Sequence, residues 1–377
     1  MTLATPARLT ATVPTVGDIP ASLDEVSAAW LAQVTGFPVT SAQLQVIGQG
    51  EGFLGQLARV TLGYSDTTPP GAPTSAIVKL PTQDPGGKQI GLMMGVWERE
   101  SRFYDEIGAQ MKVRIPKVYA NLADSAGGNY AIVMEDLAPM HPADQVTGAT
   151  PDQARRVIDE LAVIHGTWWD SPTLKQLPWM PGLDSPMTGA IKPMFDMGWA
   201  QFNERYAHRV SARTLRWAEQ FSNRIPQLLE RYLNEPNTLV HGDFRLDNMF
   251  FDADGNAGGS FALVDWQMAM RSPGGSDLVY FIVTNLAPET RRAMERELVE
   301  RYQAGLARQG VTGEYATVQR LWQGYIEGIL FYCVSFGGGL LTIDPANERG
   351  VRLFDELVMR TYIAAEDLAV GDILGLD

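Results

Sequence analysis

The chain has 377 residues, 45% hydrophobic and 20% charged, with a formal charge of −14 at pH 7; this is ordinary globular composition, long enough for a large core and two lobes or domains. The acidic balance excludes a general nucleic-acid binder, because phosphate backbones are held by basic surfaces. A single cysteine, Cys333, excludes an intrachain disulfide.

Residues 1 to about 20 are rich in Thr, Pro and Ala and read as a loose arm. They contain no apolar h-region, so no secretory signal is expected, and the cytoplasm is the expected compartment. SLDEVSAAWLAQVTG, opening at Ser22, predicts one short helix with a serine cap, an acidic first turn and a closing glycine. From about 43 to 81 the pattern is that of strands. LQVIGQG and LARVTLGY flank a glycine cluster, and SAIVKLP follows a Pro/Gly-rich turn. KQIGLMMGVWERESRFYDEIGAQM predicts a helix with Trp97, Tyr104, Ile107 and Met111 on one face. IPKVYANLADSAGGNYAIVMEDL reads as two strands around an AGG turn.

Beyond about 140 the chain turns mainly helical. TPDQARRVIDELAVIHGTWW opens on Thr and Pro at cap and first-turn positions, and SARTLRWAEQFSNRIPQLLERYL is interrupted by Pro226. Strands return briefly at TLVHGD, NMFFD and SFALVDW. Helices follow, including PETRRAMERELVERYQAGLARQG and the apolar run around Cys333. That run is too short to span a bilayer, and Cys333 reads as a buried small hydrophobe. The layout predicts an α+β chain of two lobes with a cleft: an N-terminal arm and helix (1–42), a sheet-rich N-lobe (43–133), a connection (134–139) and a helical C-lobe (140–377).

The stretch LVHGDFRLDNMFF (239–251) sets His241, Asp243, Arg245, Asp247 and Asn248 between two apolar runs. Singly, such residues are turn formers. In the order H-G-D-x4-N, strand, turn, strand, Asp265, they match the loop of kinase-type phosphoryl transfer. There an aspartate accepts a hydroxyl proton and an asparagine five residues later holds a metal. A second carboxylate, Asp265, completes an oxygen-rich Mg²⁺ site. The histidines 141, 165, 208 and 241 lie in no H-E-x-x-H or C-x-x-C setting, which argues against zinc.

Such a site needs positive charge against nucleotide phosphates. Lys79 lies inside the apolar strand AIVKL, where alone it reads as an edge-strand lysine facing solvent. The following helix, however, carries Glu100 in line with Trp97, Tyr104 and Ile107, and a carboxylate on an apolar face requires a cationic partner. A Lys79–Glu100 pair is therefore expected, with Glu98 on a different face. GQGEGFLGQL contains Gly50, Gly52 and Gly55. Because LARVTLGY alternates like a strand, these glycines join two strands and do not open a helix as a dinucleotide fingerprint would; a glycine-rich hairpin covers nucleotide phosphates in kinases.

The order of glycine hairpin, Lys79, Glu100, VMEDL, HGDFRLDN and VDWQ resembles the aminoglycoside phosphotransferase and choline kinase branch of the protein-kinase-like fold. GEGFLG, ERESRFY and VMEDL are most similar to its ecdysteroid-kinase-like members. The resemblance covers roughly residues 43 to 285. It implies a two-lobe fold with an antiparallel N-lobe sheet plus one helix, ATP and Mg²⁺ as cofactors, and Asp243 as catalytic base. It also implies that Asn248 and Asp265 hold Mg²⁺, that Lys79 meets the α/β phosphates, and that backbone groups near Glu135, Asp136 and Leu137 meet the adenine. Arg245 either neutralises the transferring phosphate or braces the loop. His241 orders the loop, and Asp277 resembles the helix-start aspartate that braces it. Trp266 and Gln267 stand where protein kinases have Phe-Gly. The APE string at 287–289 fits a helix start beyond Asp277, so a protein substrate is disfavoured.

The implied activity is ATP-dependent phosphorylation of a hydroxyl on a small molecule, with neither nucleic acid nor membrane as partner. Residues 166–205 contain Trp168, Trp169, Trp179, Trp199, Met180, Met187, Met194 and Met197. Each singly reads as core; together they suggest an apolar wall and a bulky, largely apolar acceptor. The scattered Asp170, Asp184, Asp196 and Glu204 leave open a cationic acceptor of aminoglycoside or choline type. A nucleotide-binding pseudokinase and a phosphate-ester hydrolase remain the other classes.

Overall fold

The computed structural model describes residues 19–48, 54–65, 68, 70–138, 140–252, 259–343 and 345–376. The chain divides into two units. One comprises residues up to Asp105 together with Lys117–Asp136; the other comprises Glu106–Pro116 and everything from Leu137. The eleven-residue stretch 106–116, read from sequence as part of the N-lobe, thus groups with the helical unit.

In the first unit, helix α1 (Ala28–Thr35) starts later than its sequence suggests. Ser27, not Ser22, accepts from Trp30 N, and Gly36 ends the helix at φ 71°. Residues Leu23–Glu25 form a separate 3-10 turn, and the Ser22 side chain makes no cap bond. Strands β1 (Val39–Ile47), β2 (Gly55–Tyr64), β3 (Ser75–Pro81), β4 (Val118–Asp124) and β5 (Asn129–Glu135) form an antiparallel sheet in the order β1-β2-β3-β5-β4. One face of the sheet, with Val60, Val78, Leu80 and Val133, packs on Leu31 and Trp30 of α1. Between β3 and β4 the single predicted helix is broken into α2 (Pro85–Met94), α3 (Val96–Arg102), a π turn (Phe103–Ile107) and a 3-10 turn (Gly108–Gln110). Gly95 breaks it at φ 64°, a conformation that costs glycine nothing and other residues strain.

The second unit is mainly helical: α4 (Pro151–Trp168), α5 (Pro172–Lys175), α6 (Pro186–Gly189), α7 (Ile191–Tyr206), α8 (Ala212–Ser222), α9 (Ile225–Leu233), α10 (Gly275–Asn285), α11 (Pro288–Arg308), α12 (Val318–Gly339), α13 (Glu348–Asp367) and α14 (Val370–Ile373). Thr150 and Gln153 close a reciprocal capping box at the start of α4. Pro226 sits in the first turn of α9, where its missing N–H is harmless. Helix α12 runs through the middle, against α7, α8, α10 and α13, and carries Cys333 fully buried.

Two small sheets interrupt the helices: β7 (Thr238–Val240) with β10 (Met270–Ser272), and β6 (His141–Pro142), β8 (Met249–Phe251) and β9 (Phe261–Leu263) in the order β6-β8-β9. β6 and β10 are too short to leave a period in the sequence. Their partners flank the polar loop, so residues 241–248 are anchored at both ends by buried apolar strands. Among the described residues, no helix is long and apolar enough to cross a membrane.

Candidate active site

In the second unit the loop leaves β7 through His241 and Gly242. Gly242 has φ 79°, and a Cβ there would lie 2.3 Å from the carbonyl oxygen of Met268, so this position requires glycine. The buried Asp277, near the start of α10, accepts from His241 N at 2.6 Å and from Gly242 N at 3.1 Å. His241 is fully buried. Its Nδ1 accepts from Asp243 N, which leaves Nε2 to donate to Val264 O at 2.9 Å. Both ring nitrogens are therefore spent on ordering the loop.

Three donors converge on the Asp243 carboxylate. Arg245 Nε lies 3.0 Å and Asn248 Nδ2 3.2 Å from Oδ2, while Tyr280 Oη lies 3.4 Å from Oδ1. The neighbouring Asp243 carboxylate holds the Arg245 guanidinium above its ordinary range, against the opposing effect of burial. Burial, and secondarily Asp243, pushes the Tyr280 phenol up, so it stays protonated as a donor. Asp247 serves the backbone: Oδ1 accepts from Gln145 N, and Oδ2 pairs with Arg245 and Arg349 at 3.4 Å each.

β8 and β9 pair Met249 with Leu263, and Val264 N donates to Asn248 O at 3.0 Å. This pairing sets Asn248 and Asp265 on adjacent strand ends. Asp265 is held at φ 68°, ψ 64°, an uncommon conformation for a residue with a side chain. Among the described residues no group of three or more His, Cys, Asp and Glu is placed to hold a metal. A carboxylate and an amide oxygen are nevertheless hard donors of the type Mg²⁺ accepts when phosphate and water complete its shell, so the residues present fit that ion and not a soft metal.

In the first unit, β3 is central, not an edge, and Lys79 is 7% exposed. The solvent-facing reading of Lys79 does not hold: its Nζ lies 2.6 Å from Glu100 Oε2. Glu98 points elsewhere, toward Arg102. Gly55 opens β2 opposite Pro81, and a Cβ there would lie 3.6 Å from Lys79 Cε; Gly50 and Gly52 lie outside the described residues. Trp97 Nε1 donates to Leu54 O, tying α3 to this hairpin. Glu135 exchanges backbone and side-chain bonds with Lys117. The Asp136 carboxylate takes a two-pronged bond from Arg59 and one from Ser75, a bracing role within the unit. Leu137, in the second unit, is buried with Met140 and Ala262.

Residues 49–311 match the sequence model of the ecdysteroid kinase-like family. The chain belongs to this family. No curated protein matches it in sequence. Among solved structures, choline kinase from Cryptosporidium parvum Iowa II aligns at 10% identity over 94% of this chain and 95% of that chain, with a TM-score of 0.53. Ethanolamine kinase from Plasmodium vivax aligns at 12% identity over 85% and 82%, with a TM-score of 0.52. The GDP complex of aminoglycoside 2′-phosphotransferase-IIIa aligns at 15% over 89% and 96%, with a TM-score of 0.51. At these identities the likeness establishes the fold: the protein-kinase-like one, with an antiparallel N-lobe sheet and a helical C-lobe. For an ecdysteroid kinase-like chain on this fold, the indicated chemistry is small-molecule phosphotransfer.

Two neighbours of the loop in this ecdysteroid kinase-like protein were not legible beforehand. Tyr280 looks like any aromatic on the buried helix SDLVYF, and Arg349 lies a hundred residues away with no local signature. Within 166–205, Trp168 and Met180 are core and Met197 is exposed. Trp199 stacks between Phe195 and Phe202.

Proposed function

We propose that this protein transfers the γ-phosphoryl group of ATP to a hydroxyl of a small, bulky and largely apolar molecule. The observation that carries the reading is the convergence of Arg245, Asn248 and Tyr280 on one carboxylate, Asp243. A carboxylate fixed by three donors presents its remaining lone pairs in a defined direction, as a base in phosphoryl transfer must. The acceptor oxygen attacks the γ-phosphorus in line. The new O–P bond forms as the bond to the β,γ-bridging oxygen breaks, the hydroxyl proton passes to Asp243, and ADP leaves.

Arg245 positions this base, since its Nε and Nη1 are committed to Asp243 and Asp247. Lys79, oriented by Glu100, neutralises phosphate oxygens of the nucleotide. Asn248 and Asp265 would hold Mg²⁺, which when bound neutralises charge on the phosphates. Nucleotide binding is supported by the GDP complex of the structural neighbour. The apolar acceptor is supported by Trp169 and Leu183, which turn from the segment 166–205 toward an apolar cavity in the second unit.

The test is calorimetric titration with ATP and GTP, with and without Mg²⁺, followed by coupled ADP or GDP release over a panel of apolar alcohols, aminoglycosides and choline. The expected result is Mg²⁺-dependent nucleotide binding together with turnover of apolar alcohols, with Asp243→Ala abolishing the turnover and leaving the binding. Turnover with aminoglycosides or choline alone keeps the chemistry and removes the apolar acceptor. Absence of nucleotide binding overturns the proposal.

A further inference from the structure

The second unit contains a cavity of about 80 Å³ that none of the catalytic candidates lines. Its walls are the turn Ser272–Ser276 into α10, Leu229 and Tyr232 of α9, Trp169 after α4, and one face of α12. Aromatic rings dominate: Trp169, Tyr232, Tyr315, Phe331 and Tyr332. Its two charged residues, Glu235 and Arg320, pair with each other, so the lining carries no net charge. Four glycines, Gly274, Gly275, Gly324 and Gly328, form part of the wall, and two of them leave open space. A Cβ at Gly275 would meet nothing within 4 Å, and one at Gly324 only the Arg320 Nη1 at 3.5 Å, so flat groups can approach the backbone at both places.

Tyr332 connects this cavity to the reaction centre. Its hydroxyl donates to Ser276 O at 3.2 Å, and its ring lies 5.2 Å, centre to centre, from that of Tyr280, whose hydroxyl bonds Asp243. One wall of the cavity, Tyr332, is thus in ring contact with the tyrosine that bonds Asp243.

We propose that this cavity is the subsite for the distal end of the acceptor, and that this end is an uncharged ring. The assignment rests on the phosphotransfer reading above and names its substrate class: an elongated hydroxyl compound with an apolar, neutral terminus. The competing occupant is a quaternary ammonium group, which aromatic walls also attract. A cation lodged there would find its one lining carboxylate, Glu235, already taken by Arg320, and burying a charge without its own partner is costly, so the neutral ring is favoured.

Binding is tested without turnover, on the full chain and without nucleotide. The probes are toluene, which has no hydroxyl to phosphorylate, and tetramethylammonium, both followed by calorimetry. The expected result is saturable toluene binding, no tetramethylammonium binding, and toluene binding weakened about tenfold or more in Gly324→Leu, whose new side chain fills the space. Leucine also favours the helix over glycine, so the variant is expected to fold, as its melting curve will show. Gly275→Leu repeats the test from the opposite wall. Toluene bound equally by wild type and both variants, or tetramethylammonium bound in its place, overturns the assignment. In the alcohol panel, both variants should raise KM for ring-bearing acceptors and leave nucleotide affinity unchanged. If no alcohol turns over, phosphotransfer fails while the toluene result stands by itself.

Discussion

Asn248 turns its amide nitrogen onto Asp243 twice, 3.0 Å from the backbone carbonyl and 3.2 Å from Oδ2. The amide oxygen takes no part in either contact, so in the proposed reaction one side chain would both fix the base and offer Mg²⁺ a donor. Asn248→Ala should raise the Mg²⁺ concentration for half-maximal activity by about 10- to 100-fold and lower kcat as well. An unchanged Mg²⁺ titration would remove Asn248 from the metal site.

The Lys79–Glu100 pair is nearly free of solvent, with side chains 8% and 2% exposed. Removing one partner strands a buried charge, at a cost of about 3–5 kcal/mol, whereas replacing both with apolar groups is far milder. Urea unfolding should therefore rank Glu100→Leu well below the Lys79→Met/Glu100→Leu double variant in stability. The double variant should fold yet lose nucleotide affinity. Retained affinity would make the pair purely structural.

Tyr280 donates to Asp243 Oδ1 across 3.4 Å, a long bond. Its loss in Tyr280→Phe should cost about 0.5–1 kcal/mol, seen as a two- to fivefold fall in kcat at unchanged KM for nucleotide. A fall of several hundredfold would instead make the phenol a participant in proton transfer.

Gly242 combines φ 79° with a backbone oxygen 2.3 Å from where a Cβ would stand. Gly242→Ala must displace either the loop or residues 266–268, at a cost of about 1–3 kcal/mol. Thermal melting and turnover should drop together. An alanine variant with wild-type kinetics would show that the turn can move freely.

Where chemistry imposes a local pattern, the sequence was readable. Glu100 stands out from Glu98 because helical spacing aligns it with Trp97, Tyr104 and Ile107; all four are buried, although Tyr104 and Ile107 belong to the π turn 103–107 that follows α3. The H-G-D-x4-N spacing brought Asp243 and Asn248 together because a single short turn joins them. The break at Gly95 was hidden because the apolar spacing continues across it, and only the backbone angle reveals two helices. The sequence reads as a helix capped at Ser22, whereas Ser27 is the cap; which serine caps depends on where α1 meets the sheet. Tyr280, Tyr332 and Arg349 touch or flank the site through tertiary packing alone, so nothing near them in the chain announces it.

The two bonds from Asp277 have a consequence for the order in which the molecule is assembled. His241 and Gly242 are held by a carboxylate 36 and 35 residues further along, on a helix that must first dock. Long-range closure of this kind is entropically late. A chain shortened before Asp277 would carry the whole HGDFRLDN signature and still lack the loop it encodes. The newly synthesised protein therefore gains its reactive geometry only after α10 has emerged and packed, which delays chemistry until the C-lobe core exists.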